Sequence, residues 1–508
     1  MLTAKALSFA LPDGYALFQN LNFTIENKKY GLVGINGVGK SSLAQILAGK
    51  IPASSGQLIG DPKAVYVPQW ELRPDTTAGE YLVDIWESSE ALIRELLLKD
   101  VDLSLGIANL SGGQWMRVRL LRAIANGGGL LIADEPTNDL DREARKVLCD
   151  FVKHYSGALL IISHDRELLN HVDEIWELSN QGLSTYGGNF SFYEEMKTKE
   201  QEQLLEDLNR ARREKKKQEF EEIEKVDRQL KRSRNAQKKS AKMGLPKIVL
   251  GARKRQAQVS VGKITVQEQL RSRQRKEEFQ ELFEKQKSRS DVRMDFSIEG
   301  KIKGKLVFNL ENFNFRYRGM QHYLWPQNLY CSFQSGERLV LRGSNGAGKS
   351  TLLKLLTGQL PPDLGEISGQ ISAIKRPFAY LDQSYSLLSP NKTVLETILE
   401  NSKYDHIETR TRLADFGFVG ESVFKPTKVL SGGERLRLCL ASLAMCSQPP
   451  EVWILDEPTN NLDLDSLAVL EKALRAYKGS LIVVSHDEIF LEKISCGQEL
   501  TLCQQKID

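Results

Sequence analysis

The chain has 508 residues, 41% of them hydrophobic, with 70 Lys plus Arg against 66 Asp plus Glu and a formal net charge of +4. That length exceeds one ordinary core and predicts two or three domains. No run approaches the ~18–20 apolar residues of a membrane span, and six cysteines without Cys-x-x-Cys pairs argue against a disulfide framework or a zinc site.

The first fourteen residues, MLTAKALSFALPDG, hold no long apolar core before their Pro-Asp-Gly turn, so they read as a strand rather than a signal peptide and suggest a cytoplasmic chain. KKYGLVG, residues 28–34, is an apolar run ending at GINGVGKSS, Gly34–Ser42; Leu43, Ile46 and Leu47 then recur at helical spacing until Gly49. Strand, glycine-rich loop and helix form the setting in which G-x-x-x-x-G-K-[ST] cradles phosphates. Backbone N–H groups around Gly34, Asn36, Gly37, Gly39 and Ser42, with the positive end of the helix, suit an anion. Lys40 is placed to neutralise phosphate charge and Ser41 to offer a hydroxyl to Mg²⁺. Further along come LSGGQ, Leu110–Gln114, and LLIADEPTNDLD, Leu130–Asp141. Asp134 ends a buried strand beside the expected metal position, and Glu135 is next in line to polarise an attacking water. ALLIIS, residues 158–163, is the continuous apolar run of a parallel strand buried on both faces, and His164-Asp165 follow it.

Between ~199 and 243 the chain is rich in Glu, Lys, Arg, Gln and Leu, free of Gly and Pro, and predicts a helix with a narrow stripe of Leu204, Leu208, Phe220, Ile223, Val226 and Leu230. A second helical pattern at ~264–290, after breakers at Gly244, Pro246, Gly251 and Gly262, completes an antiparallel hairpin. Its turn is basic: Arg228–Gln267 holds twelve Lys and Arg and no acid, so the rest of the chain carries a net −8. Lys238, Lys239, Lys242, Lys247, Arg253, Lys254 and Arg255 at this tip are candidates for RNA phosphates.

Then the chain repeats itself. ERLVLRG, residues 337–343, leads into GSNGAGKST, whose Gly343, Asn345, Gly346, Gly348, Lys349, Ser350 and Thr351 restate the phosphate loop; LSGGE, VWILDEPTNNLD and VVSHD follow in the same order. Four motifs repeated in order mark a tandem duplication. The predicted architecture is α/β: two P-loop ATPase domains, 1–190 and 301–508, joined by a helical basic linker, 191–300, with its tip at ~238–262.

This motif set, over about four fifths of the chain, resembles the ATP-binding cassette (ABC) ATPases. The resemblance implies ATP and Mg²⁺ as ligands and two cassettes that sandwich two ATPs head to tail. By it, Lys40, Ser41, Gln69, Asp134, Glu135 and His164 would face Ser431, Gly432 and Gly433 across one ATP, while Lys349, Ser350, Gln383, Asp456, Glu457 and His486 would face Ser111, Gly112 and Gly113 across the other. Glu135, Glu457, His164 and His486 would be catalytic; Ser41, Gln69, Asp134, Ser350, Gln383 and Asp456 would hold the metal. Tyr317 in FRYRG matches the family's adenine-stacking aromatic, whereas the first half has Leu11 there, with Tyr15 or Phe18 as substitutes.

Twin cassettes on one chain, the double EPTN, the YGGNFSFYEEMK that opens the linker and the basic hairpin resemble the ABC-F branch, ATPases that act on ribosomes. That resemblance implies a monomer with no membrane partner, its own cassettes pairing, and a linker that reaches from the tRNA exit site toward P-site tRNA, rRNA and the peptidyl-transferase centre. Members are either general translation factors or antibiotic ribosome-protection proteins. The short spacing between Gln69 and Ser111 and the long tip favour protection. A DNA-acting ATPase and the motor of a membrane transporter are the alternatives from other classes.

Overall fold

A computed structural model describes residues 1–60, 63–83, 91–127, 129–138, 140–242, 304–361, 364–382, 385–460 and 462–503. Two compact units divide the chain: Met1–Tyr193 with Asp291–Asp508, and Glu194–Ser290. Among the described residues no helix is long and apolar enough to cross a membrane, and all six cysteines are free.

In the first half, five parallel strands run in the order Ala64–Val67, Leu130–Asp134, Leu159–Ile162, Lys29–Val33, Glu174–Ser179, and Gly182–Gly187 closes the edge antiparallel. A three-stranded antiparallel sheet centred on Leu2–Ala10 lies in the same half. The second half repeats the plan. Phe378–Leu381, Val452–Asp456, Ser480–Val484, Arg338–Arg342 and Gln498–Thr501 form an all-parallel sheet, with a three-stranded sheet around Leu306–Tyr317.

The continuous apolar runs are explained by burial on both faces. Leu130 and Ile132 pack with Leu43, Ile46 and Leu47 of the helix Lys40–Leu47, while Leu131 and Ala133 turn to the other side, toward Trp115, Val118 and Leu148. Val452 and Ile454 likewise join Leu352 and Leu356, and Trp453 and Leu455 join Leu438 and Leu470. With a side-chain period of two, one strand supports two cores and brings its C-terminal carboxylate to the phosphate loop.

The linker helix starts earlier than its composition predicts, at Phe190 rather than ~199, and runs to Lys242. Asn189 Oδ1 accepts from the Phe192 N–H at 3.2 Å, and Phe190 and Tyr193 are buried, so aromatic anchoring starts the helix inside the preceding apolar stretch. Pairs such as Glu195–Lys199 and Glu224–Arg228, four apart with the acid first, support its exposed faces. The predicted turn and second linker helix fall outside the described residues.

Candidate nucleotide sites

Each parallel sheet ends its second strand in Asp-Glu and its neighbouring strand in Ser-His-Asp, and the fold puts both ends beside the phosphate loop. The loop depends on glycine at its entry. A Cβ on Gly34, at φ +149°, would lie 2.3 Å from the Leu178 carbonyl oxygen; one on Gly343, at φ +153°, would lie 2.6 Å from that of Leu502. Lys40 Nζ donates to the Gly34 carbonyl at 2.6 Å and Lys349 Nζ to that of Gly343 at 2.7 Å, so each lysine folds back over its own loop. Burial lowers both ammonium pKa values from the ordinary lysine range.

A cleft of about 460 Å³ in the first half is lined by Asn36, Gly37, Gly39, Lys40, Ser41, Ser42, Gln69, Asp134, Glu135 and His164. Its counterpart in the second half, about 560 Å³, is lined by Asn345, Gly346, Gly348, Lys349, Ser350, Thr351, Asp456 and Glu457. Gly343 and His486 line an adjoining cleft with Asp141 of the first half. Volumes of this size suit a nucleotide. Gln383 lies outside the described residues.

Glu135 and Glu457 have φ of +47° and +48°, left-handed values that a glutamate adopts only under constraint. Glu135 N–H donates to the Ile162 carbonyl at 2.8 Å and Glu457 N–H to that of Val484 at 2.9 Å, which pins each turn to the neighbouring strand. The EPTN and SHD motifs are joined as well: Thr137 Oγ1 lies 3.2 Å from Ser163 Oγ, and Thr459 Oγ1 3.4 Å from Ser485 Oγ. In consequence His164 Nε2 stands 3.3 Å from Glu135 Oε1, and His486 Nε2 3.3 Å from Glu457 Oε1. Burial pushes Glu135 up to about 8 and Glu457 up to about 7, opposed by Lys40 and Lys349. The same burial drives His164 down to about 3 and His486 to about 4, so both imidazoles are neutral at pH 7.

The donor set fits a hard cation. Asp134 Oδ1 is buried with no hydrogen-bond partner, and Ser41 and Gln69 line the same cleft. Ser350 Oγ donates to Asp456 Oδ2 at 3.2 Å. Hydroxyl, carboxylate and the amide oxygen of Gln69 are the ligand chemistry that Mg²⁺ takes.

Two functional candidates escaped the sequence reading. Tyr66 and Tyr380 each donate a hydroxyl hydrogen bond at 2.8 Å, to Asp134 Oδ2 and Asp456 Oδ2. The signal was available: both stand three residues before Gln69 and Gln383, so the tyrosine is part of the repeat. A hydrogen bond to a charged group contributes ~1.5–3 kcal/mol, so Tyr66→Phe with Tyr380→Phe should weaken Mg²⁺–ATP affinity about 10-fold, read by a fluorescent ATP analogue with Mg²⁺ and with EDTA. Equal affinity in the two proteins would mean that the carboxylates are oriented without the hydroxyls.

The Tyr317 hydroxyl lies 2.8 Å from Thr351 Oγ1 and its ring is edge-on to Phe315, so it borders the phosphate loop but not the cleft lining. In the first half Leu11 and Leu17 line the cleft, while Tyr15 is exposed and Phe18 is buried; neither aromatic substitute lines it.

Ser111 and Ser431 cap the helices Gly112–Ala125 and Gly432–Met445, each accepting from the backbone N–H of Gln114 or Glu434. Gly112, Gly113, Gly432 and Gly433 form the first turns behind them, and none of the six residues is among those lining the two phosphate-loop clefts. What does reach across is the end of the EPTN segment: Asp463 Oδ2 accepts from the Asn36 N–H at 3.1 Å. Lys238, Lys239 and Lys242 lie on the backbone of the linker helix, and Lys247, Arg253, Lys254 and Arg255 fall outside the described residues.

Comparison with known proteins agrees with this geometry. The ABC transporter family model matches residues 18–138 and 326–460. The ribosome protection protein VmlR of Bacillus subtilis (strain 168) is 30% identical over 97% of this chain and 85% of its own. The ATP-binding protein Uup of Buchnera aphidicola subsp. Acyrthosiphon pisum (strain APS) is 31% identical over 92% and 74%. The archaeal ribosome recycling factor aABCE1, solved with the ribosomal stalk protein aP1, superposes with a TM-score of 0.57 at 18% identity, covering 98% of this chain and 87% of that one.

Proposed function

Because the chain belongs to the ABC-F family of ATP-binding cassette proteins, we propose that it hydrolyses ATP at two sites and uses the cycle to engage and leave the ribosome. The observation that carries hydrolysis is the twice-built constellation of phosphate-loop lysine, strand-end Asp, strained Glu and neutral His. In each site the lysine and loop N–H groups hold the triphosphate. Glu135 and Glu457 take the proton of the attacking water, a task suited to carboxyls whose affinity for protons has been raised toward neutrality. His164 Nε2 and His486 Nε2 stand 3.3 Å from that carboxylate, and His486 Nε2 also lies 3.1 Å from Lys349 Nζ, so each imidazole borders the place where the water would react. Ser41, Gln69 and Asp134 would hold Mg²⁺ in the first site, and Ser350, Gln383 and Asp456 in the second; bound there, the ion offsets phosphate charge. Ser111–Gly113 and Ser431–Gly433, helix N-termini, would each meet the ATP held by the other cassette.

On this reading ATP closes the cassettes, and the linker with its basic tip seats against rRNA and P-site tRNA near the peptidyl-transferase centre. Hydrolysis opens them and releases the ribosome. The partner is argued from the relatives: VmlR bears ribosome protection in its name and matches nearly the whole of this chain, which supports ribosome protection as the biological role. The test is co-sedimentation of Glu135→Gln/Glu457→Gln with 70S ribosomes. Retention only with ATP supports the reading; no retention in any nucleotide state overturns the ribosomal partner.

A further inference from the structure

Among the described residues, ion pairs cross between the cassettes at two places. Arg166, two residues after His164, sets Nη1 2.6 Å from Glu471 Oε1, on the helix Leu464–Ala476; the two side chains are only 4% and 7% exposed. Lys493 approaches the other oxygen of Glu471 at 3.6 Å. In the second cassette the residue two after His486 is Glu488, and it meets Arg142, the first residue of the helix Arg142–His154, at 3.2 Å. Arg342, on the strand that enters the second phosphate loop, holds Glu488 in a bidentate pair. The position after Ser-His-Asp is therefore cationic in one cassette and anionic in the other, and each finds its opposite on the helix after the partner's EPTN segment.

The repeat shows what the polarity does. The counterpart of Glu471 in the first cassette is Cys149, and that of Arg142 in the second is Leu464. Two first cassettes brought together would leave Arg166 opposite a thiol with Arg142 nearby, and two second cassettes would set Glu488 against the Glu471 surface. Like charges and an unpaired buried charge both oppose such pairings.

We propose that Arg166–Glu471 and Arg142–Glu488 are a polarity-reversed lock that admits only first-with-second cassette pairing and ties the histidine loop of each cassette to the helix beside the other's site. These four are positioning residues. Their effect on turnover, though not on pairing, rests on the ATPase reading above.

The test is a charge swap in the full-length protein, comparing wild type, Arg166→Glu, Glu471→Arg and Arg166→Glu/Glu471→Arg. Hydrogen exchange of Arg166–Leu169 and Leu464–Ala476 is measured with and without ATP, alongside kcat and KM for ATP. Each single reversal should speed exchange of both segments by at least ~10-fold and lower kcat more than it raises KM, because a buried charge loses its partner. The double swap should return exchange to within ~3-fold of wild type and recover kcat, the coupling a direct pair shows. Arg142→Glu, at a half-exposed site that tolerates charge, should loosen the second contact without unfolding and with a smaller effect. A double swap no better than the worse single, or single reversals indistinguishable from wild type, overturns the lock. A wild type that never turns over ATP overturns the ATPase reading instead, and the exchange rates still decide the lock.

Discussion

Glu135→Gln combined with Glu457→Gln will lower steady-state ATP turnover by ~10²–10⁴-fold, the range a positioned general base contributes, while nucleotide affinity stays within about 3-fold of wild type. Glutamine keeps the volume of glutamate and meets the same left-handed backbone, held by the same N–H bonds to Ile162 and Val484, so the loop has no reason to move. The amide, however, cannot accept a proton from water. On the proposed reading, phosphate contacts belong to other groups, the loop N–H atoms and the lysines, which the substitution leaves alone. Phosphate release and binding of a fluorescent ATP analogue separate the two quantities. Turnover within a few-fold of wild type would remove Glu135 and Glu457 as bases and leave His164 and His486, both neutral at pH 7, as the groups to test next.

What the sequence revealed about these sites, and what it hid, follows from how far each contact reaches along the chain. Periodicity over five to eight residues was enough to place Leu130–Asp134 and Lys40–Leu47, because burial on two faces or one leaves its mark locally. The phosphate loop was legible because Gly34 and Gly343 stand where a Cβ would strike backbone. The Arg166–Glu471 pair joins residues 305 apart, and neither residue belongs to a motif; a charge at such a position reads as ordinary surface until folding buries it. Tyr66 and Tyr380 were hidden differently. They sit in apolar strands where an aromatic is unremarkable, and only the hydroxyl bond to the strand-end aspartate gives them a second role. The early start of the linker helix was masked by Gly187-Gly188, which breaks the pattern just before Asn189 caps it.

Neutralising Lys238, Lys239, Arg253, Lys254 and Arg255 with glutamine will weaken ribosome binding and flatten its salt dependence. Each released counterion contributes ~0.7–0.9 to the slope of log K against log salt, so removing five phosphate-facing charges should reduce that slope by about 4. Composition argues that the effect belongs to this segment. Glu194–Asp227 mixes twelve acids with nine bases, whereas the next forty residues hold twelve bases and no acid. A mixed helix face neutralises itself through pairs such as Glu195–Lys199, so little of its charge is left for an external polyanion. Lys216→Gln/Lys217→Gln, on the mixed part of the same helix, is therefore the control and should change the slope by less than about 1. Pelleting with ribosomes across a KCl series, in the hydrolysis-deficient background, reads both variants in the same state. A tip variant with an unchanged slope would mean that the basic residues meet no phosphate. Affinity would then come from apolar or shape contacts along the linker. A slope reduced equally in the control would spread the contact along the helix and take the tip's special role away.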